Sequence, residues 1–429
     1  MQPIRITEIP QHLGEEVLIQ GWLYHKRSSG AIQFLLLRDG SGLMQAIVLK
    51  SNSAAFQVAE GLAQESSLRV WGQARADKRA PTGYELEISR FELVQLAHDY
   101  PIAPKEHGPG FLMDHRHLWI RSPKQAALLR VRHEVLQGMR DFFHQRGFIA
   151  TESPILTPAA VEGTTTLFPV DYFGDQAYLS QSGQLYLEAT AAALGLVYWI
   201  GPAFRAEQSK TRKHLTEFWM CEAEMAFYDH QMNMQLQEEL VKYLLERLLK
   251  QRAAELETLE RNTASLQKVL SEPFARITYA EALELLAEQG LPLEWGDDFG
   301  APHEEVLGQH FQRPVFIEKM PAAMKAFYME PDPQNPELVL AADLIAPEGY
   351  GELIGGSQRI SDLEMLERKL QEFQLPREPY EWYLDLRRYG SVPHSGFGIG
   401  VERTVAWIAG AKHLRECIPF PRQLHRIYP

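Results

Sequence analysis

The stretch from Gly201 to Phe227 most constrains what this chain can fold into. Its sequence is GPAFRAEQSKTRKHLTEFWMCEAEMAF, in which two apolar runs flank a polar, cationic loop. This pattern predicts a β-hairpin whose loop is longer than the usual tight turns. Arg205 at the start of the loop could hold a phosphate, and Phe218 at its end could stack on a base. The hairpin is therefore typical of a nucleotide site, although a solvated charged hairpin is the simpler alternative.

The composition narrows the class of protein. The chain has 429 residues, 45% hydrophobic and 23% charged, which allows two or three ordinary globular domains. Its net charge of -13 excludes a general basic coat, so nucleic acid would have to bind to local basic patches. Two cysteines, Cys221 and Cys417, are too few for a disulfide framework and suit a reducing compartment. With no apolar run of membrane-spanning length, we expect a cytoplasmic protein that makes no membrane contact.

Residues 1–99 predict a small β-barrel. The expected elements are three strands, a helix and two further strands, at residues 17–23, 32–37, 43–49, 54–63, 67–74 and 84–96. Five strands with a helix after the third are the plan of an OB-fold, which often binds oligonucleotides on its strand face. Phe34 and Gln45, on neighbouring strands, are candidates for a stacking platform and a base reader. A core position for Phe34 is an equal alternative at this stage.

The remainder of the chain predicts a linker and one large domain. Residues 100–121 are rich in proline and glycine, as in a linker or hinge. A long helix over 124–145, capped by Ser122, has an apolar face wide enough to indicate a dimer interface as well as a core. Within a domain spanning 122–429, the charged helical residues 229–271 are interpreted as a peripheral insertion.

Two later stretches carry chemistry. Asp343 and Glu352 lie on adjacent predicted strands, where they could hold Mg²⁺ or simply form structural ion pairs. The run from Phe397 to Arg403, FGIGVER, alternates glycines before a helix, so that a group can approach the strand backbone. Alone this pattern is a weak signal, and no phosphate-loop or dinucleotide fingerprint accompanies it.

Taken together, these segments resemble the class II aminoacyl-tRNA synthetases, and among them the asparaginyl group. The helix ending at Gly147, with Pro154 after it, is similar to motif 1, the dimer element. FRAE followed by HLTEFW is similar to motif 2, and GFGIGVER is similar to motif 3. The resemblance covers essentially the whole chain. It implies an α+β fold, in which an N-terminal OB-fold β-barrel precedes a catalytic domain with an antiparallel sheet flanked by helices.

The resemblance also implies an activity and a role for each site residue. The activity is ATP-dependent formation of an aminoacyl-adenylate and its transfer to tRNA, by a homodimer that uses Mg²⁺. At ATP, the resemblance implies Arg205 on the α-phosphate, Arg403 on the γ-phosphate and Phe218 stacked on adenine. It also implies Glu207, His214 and Glu352 in the ATP site. Of these residues, Arg205 and Arg403 are the implied catalytic ones. The implied metal ligands are Asp343 and Glu352. The implied amino-acid pocket includes Glu162, Ser182 and Gln184, and the implied readers of the middle anticodon base are Phe34 and Gln45.

A short stretch of sequence indicates which amino acid is the substrate. Aspartyl relatives carry a lysine in a Ser-Pro-Gln-Leu-x-Lys pattern, where this chain has Leu187. Arg359 can donate to a side-chain carbonyl, while Glu188 can accept from an amide and repel a carboxylate. We therefore expect asparagine and tRNA(Asn) as substrates. One departure is Gly355, where aspartyl relatives often have a serine near the metal.

Three alternatives stay open. An aspartyl-tRNA synthetase, including a non-discriminating one, would be supported by a lysine at 187, which is absent. A synthetase-derived asparagine synthetase would lack the anticodon barrel, which is predicted here. A catalytically silent binding module would be indicated by loss of Arg205, Glu352 or Arg403, and all three residues are in place.

Overall fold

A computed structural model of the chain describes residues 1–161, 166–209 and 211–429. It divides into two compact units, Met1–His107 and Gly108–Pro429. Within the described residues, no helix is both long enough and apolar enough to span a bilayer.

The first unit is a closed five-stranded barrel in the order β1-β2-β3-β5-β4. Its elements are β1 Glu16–Ser29, β2 Ile32–Arg38, β3 Leu43–Leu49, α1 Ser53–Gly61, β4 Ser67–Ala76 and β5 Tyr84–Gln95. Alternate residues such as Leu35 and Met44 fill the barrel and are fully buried. Leu36 pairs with Gln45, which places Phe34 and Gln45 diagonally on the outer face. The helix after the third strand and the closed barrel confirm the predicted OB-fold.

The second unit is built on an eight-stranded sheet. Its strands, with those of two smaller sheets, are β6 Ile149–Ala150, β7 Leu156–Thr157, β8 Pro169–Tyr172, β9 Asp175–Leu179, β10 Leu196–Phe204, β11 Glu217–Ala226, β12 Ala275–Thr278, β13 Val315–Glu318, β14 Pro331–Asp332, β15 Asn335–Val339, β16 Ala341–Ala346, β17 Gly351–Arg359 and β18 His394–Gly400. The order across the main sheet is β12-β13-β16-β17-β18-β11-β10-β6. Its central pairs are antiparallel, and the edge pairs β6–β10 and β12–β13 are parallel. Strands that are distant in sequence, β17 and β11, therefore flank the same strand, β18.

Helices cover both faces of the main sheet. They are α2 Pro109–Asp114, α3 Arg116–Trp119, α4 Pro123–Gln145, α5 Gln184–Leu194, α6 His230–Gln251, α7 Ala253–Thr258, α8 Thr263–Leu270, α9 Tyr279–Glu288, α10 Ala301–Phe311, α11 Leu363–Glu372, α12 Glu381–Arg388 and α13 Val401–Ala409. Helices α4, α6 and α13 share the largest apolar core with one face of β11 and β18. Helix α5 packs on the other face of the sheet, where Leu187 meets Val197 and Trp199. Helices α2 and α3 occupy part of the stretch that the sequence predicted to be linker.

Two expectations about helices differ from the structure. The apolar face of α4 is absorbed by the chain's own core, since Val131, Val135 and Phe142 are fully buried. Residues 229–271 are not peripheral, because α6 buries Leu240 and Leu244 completely in the same core. Their apolar side chains recur at helical spacing and form a wide buried face. The many charged residues between them led to the prediction of a peripheral segment.

Candidate active site

Successive side chains of β11 point to opposite faces of the sheet, one towards the main core and the other towards a cavity on the side of α5. Cys221 and Ala223 point into the main core. Met220, Glu222 and Glu224, at the alternate positions, line the cavity. A strand that exposes every second side chain to one face thus carries apolar packing on one side and chemistry on the other.

The six residues expected at ATP line one cavity of about 680 Å³ between the β10–β11 hairpin and α13; they are Arg205, Glu207, His214, Phe218, Glu352 and Arg403. The guanidinium carbon of Arg205 lies 5.5 Å from the centroid of the Phe218 ring. The Arg403 Nη1 donates to the backbone oxygen of Glu352 at 2.7 Å, which fixes its direction. The hairpin and the last helix therefore place two guanidinium groups and an aromatic ring around one space.

His214 lies among charged side chains in this cavity. Its Nε2 lies 3.6 Å from a Glu207 carboxylate oxygen, and its Nδ1 is 3.1 Å from the Ser209 hydroxyl. Burial lowers the pKa of His214, and Arg403 and Arg205 lower it further, against the opposing effect of Glu207. Near neutral pH the imidazole can therefore accept a hydrogen bond without adding charge.

The predicted metal ligands lie on the β16–β17 hairpin, facing each other across Gly355. A β-carbon at Gly355 would lie 3.1 Å from a Glu352 carboxylate oxygen and 3.7 Å from one of Asp343. Burial raises the pKa of Asp343 to about 6, and Glu352 also raises it, while Lys325 opposes both. Among the described residues no three such side chains form a metal cluster. Two carboxylates suit Mg²⁺, which binds few protein oxygens and completes its shell with water and phosphate.

A second cavity, of about 1010 Å³, shares Arg205 and Glu352 with the first. Ser182, Gln184 and Arg359 line it, as the sequence predicted for the amino-acid pocket. Glu162, the remaining predicted member besides Glu188, lies outside the described residues. The two cavities therefore adjoin at Arg205, the residue expected at the α-phosphate.

Two acidic residues that the sequence analysis did not select also line this second cavity. Glu224 is paired with Arg359, whose Nε donates to its carboxylate at 3.2 Å, and both residues are buried. Glu222 accepts from the Ser182 hydroxyl at 3.0 Å and from the Gly183 amide at 2.8 Å. The signal that could have found them is the run CEAEM, since acidic residues two apart inside an apolar strand share one face.

The structure places Glu188 outside this cavity. It lies farther along α5, fully buried, and its carboxylate accepts from Arg387 at 2.6 Å, Tyr383 at 2.8 Å and His394 at 2.9 Å. Burial alone would raise the pKa of Glu188, but Arg387 and His394 outweigh it and hold this pKa well below the ordinary range. The position therefore favours a structural carboxylate over a reader of the substrate side chain, and Glu224 stands where Glu188 was expected.

The predicted anticodon residues lie together on the outer face of the barrel. The guanidinium carbon of Arg27 is 4.2 Å from the centroid of the Phe34 ring. Gln45 Nε2 donates to Glu85 at 2.8 Å. Phe34 is half-buried, with one face under a cation, so it is not a core aromatic.

The fold and the two joined cavities define a class II aminoacyl-tRNA synthetase. The sequence model of the family described as tRNA synthetases class II (D, K and N) matches residues 109–424, and that of the OB-fold nucleic acid binding domain matches residues 17–94. The asparagine--tRNA ligase of Desulforamulus reducens is 57% identical over 430 residues, with all of both chains covered. An asparagine--tRNA ligase of Thermus thermophilus is also 57% identical, covering 99% of each chain.

Solved structures agree with these relatives. The asparaginyl-tRNA synthetase of Pyrococcus horikoshii, complexed with asparaginyl-adenylate, superposes with a TM-score of 0.97 at 44% identity over 100% of both chains. That of Entamoeba histolytica gives a TM-score of 0.92 at 32% identity, again over all of both chains. The chain belongs to the class II tRNA synthetases and, within them, to the asparagine–tRNA ligases.

The buried position of Glu188 generates a stability prediction. Replacing Glu188→Gln leaves the Arg387 charge uncompensated, so we expect a loss of about 3–5 kcal/mol of unfolding free energy at pH 7. Because the folded-state pKa of Glu188 is lowered, its carboxylate contributes stability above the ordinary pKa of 4.5. The advantage of wild type over the variant should therefore shrink as the pH falls below that value. Urea unfolding across this pH range measures it.

The control is Glu288→Gln, at an exposed position near the end of α9, which should change the unfolding free energy by less than about 0.5 kcal/mol. Equal unfolding midpoints for wild type and Glu188→Gln at pH 7 would contradict the assignment of Glu188 to a structural network.

Proposed function

We propose that this chain activates asparagine with ATP to asparaginyl-adenylate and transfers the asparaginyl group to tRNA(Asn). The observation that carries the proposal is that the two cavities adjoin: the residues expected at ATP surround one of them, and the Arg359–Glu224 pair lies in the other. Arg205 borders both, so it lies where a nucleotide phosphate and an amino-acid carboxylate would meet.

The first half-reaction needs positioning and charge neutralisation more than covalent help. The asparagine carboxylate attacks the α-phosphorus of ATP, a new oxygen–phosphorus bond forms, and the bond to the β-phosphate breaks to release pyrophosphate. Arg205 would offset the repulsion between the carboxylate and the α-phosphate, Arg403 would hold the far phosphate, and Phe218 would stack on adenine. These contacts lower the barrier by fixing an in-line geometry in a charge-stabilising site.

Asp343 and Glu352 would hold Mg²⁺ brought with the nucleotide. The metal would neutralise phosphate charge when bound. In the second half-reaction the terminal ribose hydroxyl of tRNA attacks the acyl carbon and AMP leaves. Glu207 and the neutral His214 stay predictions for the pocket of ATP and the tRNA end.

The amino-acid pocket complements an amide side chain. Arg359 can donate to the amide oxygen, and Glu224 can accept from the amide nitrogen. An aspartate side chain would offer nothing to Glu224 and would be repelled by it, which favours asparagine over the aspartyl alternative. Glu222, oriented by Ser182, faces the same cavity and suits the substrate ammonium group, for which Gln184 and Glu162 stay predicted partners.

The amide reader can be tested by comparing Glu224→Gln with wild type. Loss of one charged acceptor should lower kcat/KM for asparagine about 10- to 100-fold and reduce the preference for asparagine over aspartate. Amino-acid-dependent ATP–pyrophosphate exchange measures both values. The matched control is Glu188→Gln, which should keep the wild-type preference wherever it remains folded. An unchanged preference in Glu224→Gln, with a lowered one in the control, would return the role to Glu188.

The barrel is proposed to bind the anticodon of tRNA(Asn). Loss of a stacking platform in Phe34→Ala should cost about 1–3 kcal/mol, which corresponds to a rise of roughly 5- to 150-fold in the KM for tRNA. ATP–pyrophosphate exchange without tRNA should not change. Trp71→Ala is the matched control, because Trp71 also lies on the barrel with an arginine carbon 3.8 Å from its ring. Equal tRNA KM values for the two variants would contradict a specific role of Phe34.

We also propose a homodimer acting in the cytoplasm, where tRNA is charged. Because α4 buries its apolar face internally, support for the dimer comes instead from exposed apolar side chains after it: Ile149, Ile155 and Leu156 are 46%, 45% and 40% exposed. Ile155→Lys should shift the protein towards monomer in sedimentation velocity at micromolar concentration. Val58→Lys, similarly exposed on the barrel helix, should leave the oligomeric state unchanged. A monomeric wild type would contradict the proposal.

A further inference from the structure

Lys325 occupies a position in the second cavity that none of the sequence motifs indicated. Its Nζ donates to Asp343 Oδ2 at 2.6 Å. The two side chains are only 14% and 15% exposed, so this is a largely desolvated ion pair. A cation therefore contacts one of the two carboxylates proposed to hold the metal.

The charges around this pair explain why a cation is needed. Glu352 approaches Asp343 across Gly355, and Asp298 lines the same cavity. Asp343 is itself only 15% exposed, so its poorly solvated charge is repelled by the other two carboxylates unless a positive charge is close. Lys325 supplies such a charge from within the chain.

Lys325 combines an anchored backbone with a flexible side chain. It follows a short helical turn over Ala322–Met324, and its neighbours Phe327 and Tyr328 are buried in the core. The backbone is thus anchored, while the ammonium group sits on a flexible four-carbon stem that can swing within the cavity.

We propose that Lys325 is a built-in counter-cation, which neutralises Asp343 before nucleotide binds and competes with a divalent metal for that carboxylate. A bare metal ion must displace Lys325 unaided, whereas a metal that arrives with nucleotide brings phosphate oxygens that complete its shell and attract the released ammonium. Lys325 is thus a positioning residue that makes metal binding depend on nucleotide. The inference rests on the proposed function only in taking Asp343 and Glu352 as metal ligands.

The test measures Mn²⁺ binding to the nucleotide-free enzyme by electron paramagnetic resonance of the free ion. Lys325→Met removes the competing charge at similar length, so its affinity for Mn²⁺ should rise at least about tenfold over wild type. Lys325→Arg keeps the charge and should bind Mn²⁺ as weakly as wild type. Adding Asp343→Asn to Lys325→Met should abolish the gain. If thermal melting shows that Lys325→Met does not fold, Lys325→Gln replaces it.

The outcomes separate this inference from the proposed function. Equal Mn²⁺ affinity in folded Lys325→Met and wild type would overturn the inference, as would a gain that survives Asp343→Asn. The metal assignment is tested separately, by the Mg²⁺ dependence of ATP–pyrophosphate exchange in Asp343→Asn alone. If that dependence matches wild type, Asp343 is not a metal ligand, so the metal assignment and the inference about Lys325 fail together, while asparagine-dependent exchange still tests the proposed activity. If it is weakened, the metal assignment stands whatever Lys325→Met shows.

Discussion

The geometry of the nucleotide cavity depends on one buried carboxylate. Glu402, near the start of α13, accepts from Arg132 of α4 at 2.7 Å and from the backbone amide of Trp219 on β11 at 2.9 Å. Removing a partner from such a buried charge costs about 3–5 kcal/mol, so the long helix, the hairpin and the last helix are held in one arrangement. Arg403 follows Glu402 and Phe218 precedes Trp219 in the chain. The same bonds that join three elements of the core therefore fix the distance between the arginine proposed to bind phosphate and the ring proposed to stack on adenine.

The glycines of β18 have a physical role that their pattern only partly indicated. The sequence predicted that some group approaches the strand backbone. In the structure, that group includes the protein's own side chains: a β-carbon at Gly396 would overlap the Glu224 carboxylate, and one at Gly398 would lie 2.8 Å from Met220. The missing side chains on β18 make room for the acidic residues of β11 beside it. Glycine here shapes the amino-acid pocket as well as the approach of a ligand.

The sequence predicted those parts of the site that are close together in the chain. The hairpin, its arginine and its aromatic ring follow from local alternation, and so does the barrel. The glutamate proposed to bind the substrate amide could not be predicted in this way. Glu188 was chosen because it lies in the same short stretch as Ser182, whereas Glu224 is brought to Arg359 only by the strand order β17-β18-β11. Strand neighbours of that kind depend on the whole fold. Glu188 lies on the same face of α5 as Gln184 but one turn farther along the helix axis, where it meets Tyr383 and Arg387 of α12.

Two buried carboxylates of the catalytic unit, Glu188 and Glu224, are each paired with an arginine, but the pairs differ in what they can exchange. The Glu188 carboxylate accepts from Arg387, Tyr383 and His394, so its own hydrogen bonds are already made within the protein, although this cluster borders a separate cavity. Arg359 and Glu224 border the cavity that Ser182 and Gln184 also line, where a ligand can reach both. A primary amide offers an acceptor to the arginine and a donor to the glutamate, so it can join the pair without leaving either charge unpaired. A carboxylate can accept hydrogen bonds from the arginine, but it has no donor for Glu224 and is repelled by the negative charge of Glu224. On the role proposed for Arg359 and Glu224, preference for an amide follows from an ion pair that exists before the substrate arrives, because only a side chain that both donates and accepts hydrogen bonds can bond to both partners.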